Sequence, residues 1–195
     1  MKALITTTDH LSAAPWPQLR AIADSAVARQ REPIWLDTDD SRQMCAVICP
    51  CYRIGRLGLN ISRRFALRYI DAVGLAAVVL PAEYAAAPVD APPVLYVCNG
   101  AMVLGDEVDP QQLGDSPWTL QVSALNNDGN TVTAHTVTAG MEFAGLAVSE
   151  LSQLMTFKTG DRLLDAGHSV TVPLAKGSHL SGSLHSIPLL HCKAL

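Results

Sequence analysis

Polar and apolar residues alternate along much of this chain, and helical spacing appears only in short stretches. "QMCAVICPCYRIG" (43–55) is rich in small and β-branched side chains and predicts a strand, broken at Pro50 because proline cannot donate to a ladder. "NISRRFALRYIDAVGLAAVVLP" (60–81) predicts a helix capped by Asn60 or Ser62, then a buried strand. Phe65, Leu67 and Ile70 would form the helix's apolar side, with Gly74 ahead of the run 75–80. "PWTLQVSALNNDGNTVTAHTV" (117–137) alternates on both sides of "NNDGN", a strong hairpin signal. "GLAVSELSQLMTF" (145–157) predicts a helix with Leu146, Val148, Leu151 and Leu154 turned inward. "GDRLL", "HSVTVPLAKG" and "HLSGSLHSIPLLHCKAL" read as closing strands. Near the start, "APWPQLRAIADSAVARQ" (14–30) spaces Leu19, Ile22, Ala23 and Ala26 as a short amphipathic helix. A polar connection holding Asp37, Asp39 and Asp40 follows it, and "AEYAAAPVDAPP" (82–93) reads as an Ala/Pro loop. Runs of strands with a few short helices define an α+β, mainly β class.

Composition narrows the setting. A chain of 195 residues with 49% hydrophobic content suits one domain, 41–195, preceded by a short helical and loop segment, 1–40. Net charge is −4 and no run of lysine or arginine occurs, which argues against nucleic acid as a partner. Each apolar stretch is too short or too interrupted to cross a bilayer, so no membrane partner is expected. A poor signal sequence and five cysteines, an odd number, lead to the expectation of reduced thiols in a cytoplasmic protein.

The spelling adds what alternation alone does not. "YRIGRLGLNISRRFALRYIDAVGLAAVV" (52–79), "VLGDEVDPQQLGDSPWTLQVSALNNDG" (103–129), "TAGMEF" (138–143) and "LSQLMTFKTGD" (151–161) resemble core blocks of the fumarylacetoacetate hydrolase superfamily. They occur in that superfamily's order and cover roughly residues 42–195. The resemblance implies a mixed β-roll or β-sandwich and a homodimer. It also implies an enzyme that cleaves, hydrates, decarboxylates or tautomerises 2-oxo and 1,3-dicarbonyl acids with magnesium or manganese. A hard cation of that kind is held by oxygen ligands and stabilises the developing enolate.

Those ligands are missing. The resemblance places a Glu-x-Glu pair at Val47 and Cys49, or in another register at Arg42 and Met44, and an Asp near Val78. No acid occurs between Asp40 and Asp71 or between Asp71 and Glu83, so a slip of alignment does not restore them. The implied catalytic lysine falls at about Tyr96, and no lysine stands between Lys2 and Lys158. In place of the implied Thr-Gly-Thr-Pro substrate loop the chain has "RLLDAGHSVTV", which sets Asp165 where an anionic substrate would dock and would repel it. The expectation is therefore a degenerate, metal-free protein of this fold, with no cofactor and no metal site. It would bind a small ligand or a protein partner in a pocket lined by Val47, Cys49, Val78, Tyr96 and Asp165. The alternative is a divergent enzyme working without the metal, for which Glu83, His135 and a Cys49 thiolate are the candidate catalytic groups.

Other constellations have blander readings. Cys45, Cys49 and Cys51 share strand parity and could hold a soft metal or form a reactive thiol cluster, but small-residue core packing is the favoured reading. His135, His168, His179, His185 and His191 are expected at the surface or at strand edges. The acidic 37–40 stretch reads as a solvated loop, and Trp16, Trp35 and Trp118 read as packing anchors.

Overall fold

The computed structural model describes residues 1–13, 15–29, 32–36, 43–126 and 129–195, apart from the side chains of Val132 and Thr133. The acidic positions 37, 39 and 40 lie outside these. In chain order the strands are β1 (Ala3–Thr6), β2 (Arg20–Ile22), β3 (Val27–Arg29), β4 (Met44–Ile54), β5 (Ile70–Pro81), β6 (Met102–Val108), β7 (Trp118–Leu125), β8 (Thr131–Ala139), β9 (Arg162–Asp165), β10 (Val170–Pro173), β11 (His179–Leu184) and β12 (Ile187–Lys193). The α-helices are α1 (Thr8–Leu11), α2 (Ala82–Ala85) and α3 (Met141–Leu151). A mixed sheet runs β2-β1-β9-β4-β5-β6-β3 with β10 also on β4, and a second sheet runs β12-β11-β7-β8. This is the expected α+β, mainly β architecture.

β4 and β5 form the spine, and both faces of this pair are covered. Ala46, Ile48, Tyr52, Ile54, Val73, Leu75 and Ala77 join a core with the second sheet and α3. Cys45, Val47, Cys49, Cys51, Ala76, Val78 and Leu80 join a second core on the opposite face. Burial on both faces explains why these strands read as continuous apolar runs. The sheets meet closely at Gly105, where an added Cβ would stand 2.1 Å from the Leu189 carbonyl oxygen of β12. Only glycine permits that approach. At one end of the spine Arg53 pairs with Asp71 at 2.8 Å and with Glu107 at 3.0 Å, while Arg162 reaches Glu107 at 2.8 Å. One charged cluster thus joins β4, β5, β6 and β9.

Several expectations are corrected. Residues 14–30 contain no α-helix among those described: β2 pairs with β1 and β3 pairs in parallel with β6. Leu19, Ile22 and Ala26 still turn inward or partly inward, but ladder bonds within the large sheet outweigh a four-residue helical stripe. Residues 1–40 thus contribute strands to the large sheet. β4 is not broken at Pro50, which pairs with Leu75. On its other edge β4 is paired with β10 up to Ile48 and with β9 from Cys51, so the proline falls between two partners. The expected helix after Asn60 is a 3-10 helix, Arg63–Tyr69, without a side-chain cap. Its tighter winding leaves Phe65 and Leu67 exposed and buries Ala66 instead. α3 stops at Leu151, which places Leu154 on the surface. Trp16 and Trp35 are exposed, and only Trp118 is a packing anchor, its indole N–H donating to Gly114 O at 3.1 Å.

Candidate functional site

Backbone pairing sets Val47 directly opposite Val78, and Cys49 opposite Ala76 two residues along the same face. Val47, Cys49, Val78 and Tyr96 then meet in the second core, each with no accessible surface. Ile5, Ile22 and Ala26 from the first thirty residues and Ala85, Ala91 and Met102 from the 82–102 region close the same core. Four of the five residues expected to line a pocket are thus brought together, but they form packed interior.

The polar atoms here are satisfied locally. Tyr96 donates its hydroxyl to Pro88 O, and burial, ahead of nearby charges, pushes its phenol up to about 12. Cys49 donates weakly to Val47 O at 3.7 Å, and burial first, then Asp165 and Cys51, raises its thiol well above the ordinary range. Burial also raises Cys45 and Cys51. Thiolates are disfavoured on this face, which weighs against Cys49 as a nucleophile. The donor set does not fit a hard divalent cation, because two valines, a thiol and a phenol offer no carboxylate. Among the described residues no group of three or more His, Cys, Asp or Glu side chains is placed to hold a metal.

Asp165 behaves differently from the expectation. It ends β9 with no accessible surface, accepts from Gly167 N at 3.0 Å, and receives the His168 Nδ1–H at 2.7 Å. Burial raises its carboxyl, while His168 and the Gly167 and His168 backbone N–H groups pull the other way. Its negative charge is therefore turned onto His168 and does not face an incoming ligand. With Nδ1 bonded to the carboxylate, His168 keeps Nε2 for chemistry. His168 lines a hollow of about 270 Å³ together with Thr8, Arg63, Glu142, Phe143 and Leu146. The pairing escaped sequence reading because the histidines were weighed as a group. The signal was local: in "DAGH" the aspartate caps the turn that returns the histidine three residues later.

The remaining candidates stand apart. Glu83 is exposed in the first turn of α2. His135 is exposed on β8 and lines a shallow groove of about 500 Å³ over the second sheet, beside Ser123 and Ser181. His168, His185 and His191 are exposed and His179 is half-buried. Lys2 is a structural lysine: its Nζ pairs with Asp161 at 2.9 Å and donates to Thr156 O at 2.7 Å. Among the described residues no helix is long and apolar enough to cross a membrane.

This arrangement of sheets is shared with solved hydrolases and isomerases, among them a fumarylacetoacetate hydrolase family protein. The chain aligns over its full length with a fumarylpyruvate hydrolase from Pseudomonas aeruginosa, solved with Mn2+ and pyruvate, at 12% identity, 89% coverage of that chain and a TM-score of 0.74. It aligns equally fully with a fumarylacetoacetate hydrolase family protein from Yersinia pestis CO92 at 17% identity, 93% coverage of that chain and a TM-score of 0.74. A 5-carboxymethyl-2-hydroxymuconate delta-isomerase from Mycobacterium smegmatis gives 17% identity, 76% coverage of that chain and a TM-score of 0.76. No family model matches the sequence, and no curated protein does. At such identities the likeness is one of fold.

Proposed function

We propose that this chain is a metal-independent protein of the fumarylacetoacetate hydrolase fold that binds a partner or small ligand and does not turn over 2-oxo acids, and that it works as a cytoplasmic homodimer. One observation carries the reading: Val47, Cys49 and Val78, which stand where the resemblance puts metal-binding carboxylates, are apolar or neutral and fully buried. A divalent cation entering there would shed water and gain no anion in return. The test is thermal unfolding of the full chain with Mg2+ or Mn2+, alone and with pyruvate or oxaloacetate. No shift in Tm is expected, and stabilisation by micromolar metal overturns the reading.

A second reading has one observation in its favour, the His168–Asp165 pair on a hollow that also holds Arg63. A histidine held through Nδ1 and open at Nε2 is the form of a general base, and an arginine would orient an anionic substrate. On this reading oxaloacetate or an acylpyruvate is converted in the presence of a chelator, and His168→Asn abolishes the turnover in a variant that circular dichroism shows to be folded. Absence of metal-free turnover removes this reading and leaves the first intact.

A further inference from the structure

The surface around the 3-10 helix Arg63–Tyr69 has a composition unlike the rest of the molecule. Residues 56–68 carry Arg56, Arg63, Arg64 and Arg68, and no acid occurs anywhere from 41 to 70. In the same stretch Leu57, Leu59, Phe65 and Leu67 are 69%, 53%, 40% and 46% exposed. Leu154 is 48% exposed in the neighbouring 152–157 stretch. Gly58 and Phe157 exchange backbone bonds of 3.1 and 2.8 Å, and Asn60 donates to Ser152 O at 2.8 Å, which lays the 152–157 chain alongside 58–60. Isolated exposed apolar residues are ordinary, but four this exposed within residues 57–67, interleaved with arginines, are not.

The cations are arranged as well as clustered. The Arg64 and Arg68 guanidiniums lie 5.4 and 4.9 Å from the centre of the Phe65 ring. Among the described residues neither they nor Arg56 has a carboxylate partner. Stacking restricts the long side chains before a partner arrives, so less rotamer freedom is lost on binding. Arginine and an aromatic ring flanked by leucines is the composition of an interface centre.

We propose that this surface docks an acidic protein segment that carries apolar side chains. The charge pattern selects the occupant. A second copy packed about a two-fold axis would bring these same arginines against each other, at a repulsive cost. An anionic bilayer would attract the patch, but a seven-residue 3-10 helix offers little surface to insert. An acidic segment matches the unpaired guanidiniums and covers the leucines. This inference is independent of whether the His168 hollow is catalytic.

The test uses the full chain and a fluorescein-labelled synthetic peptide repeating Glu-Glu-Leu-Phe, with its Lys-Lys-Leu-Phe counterpart as control, read by anisotropy. The acidic peptide should bind and the basic one should not. Raising salt from about 50 to about 300 mM should weaken binding, since the Debye length shortens across that range. Arg64→Glu with Arg68→Glu should reduce affinity at least tenfold, and Phe65→Ala should reduce it severalfold. All of these positions are exposed, so circular dichroism and Tm should stay at wild-type values. No binding of the acidic peptide, or equal binding by the charge-reversed variant, overturns the proposal. So does flotation with phosphatidylserine vesicles that the charge reversal abolishes, or a dimer in sedimentation that Phe65→Ala dissociates.

Discussion

Across β4 and β5, Val47, Cys49 and Val78 meet with no charged side chain among the three, and the space they share is closed. At the end of β9, Asp165 is equally buried yet charged, and it sits beside an open hollow. The difference lies in partners. Asp165 has a backbone N–H and an imidazole within hydrogen-bond distance, whereas the side of β4 that carries Cys49 offers it only a carbonyl. A carboxylate can be buried where donors converge and is expelled where none do. Placing acids in the first region should therefore fail, while the second should tolerate titration.

The largest effect should come from Cys49→Glu. An unpaired carboxylate in this core should cost about 3–5 kcal/mol, seen as a lower urea midpoint with an unchanged m-value. A variant as stable as wild type would mean that water or a cation reaches the site. Tyr52→Phe should cost about 1 kcal/mol, because its hydroxyl donates to Gly140 O at 2.6 Å and ties β4 to the start of α3.

Acid titration should separate two aspartates that flank the same strand. Burial would raise Asp161, but the Lys2 side chain together with the Lys158 and Lys2 backbone N–H groups outweighs it and holds the carboxyl below its usual range. Its contribution stands above the unfolded carboxylate value and is lost as pH falls through the lower native one. Asp165 is raised, so its contribution stands below the unfolded value and is lost as pH rises through the native one. Urea midpoints against pH should show Asp161→Asn converging with wild type in acid. For Asp165→Asn the gap should move in favour of wild type on acidification, the opposite trend. Parallel profiles for the two variants would contradict these environments. The smallest change is expected for Pro50→Ala, about 0.5 kcal/mol, since the residue lies between β10 and β9 on one edge of β4.

Much of the fold was legible because its spine advertises itself. β4, β5 and the β7–β8 hairpin are long, and their patterns match a two-residue period or a doubly buried run. The lack of Asp and Glu at the expected metal-binding positions was legible for a different reason, since it rests on residue identity over long stretches and not on geometry. What escaped notice depended on distant partners. β2 and β3 span only Arg20–Ile22 and Val27–Arg29 and exist because β1 and β6 pair with them. Leu19, Ile22, Ala23 and Ala26 mimic a helix when read without those neighbours. Phe65 and Leu67 were assigned inward by an α-helical period that the 3-10 turn does not follow, and that is how the arginine-rich apolar surface stayed hidden.

β9 lies between β1 and β4, and the bond from Lys2 N–H to Asp161 spans 159 positions of sequence. A ribosome delivers these partners far apart in time. Until Arg162–Asp165 emerges, β1 and the spine each present a bare ladder edge. Assembly of this sheet is therefore slow and non-local by construction, and nascent chains halted before that point are the species most prone to edge-to-edge aggregation.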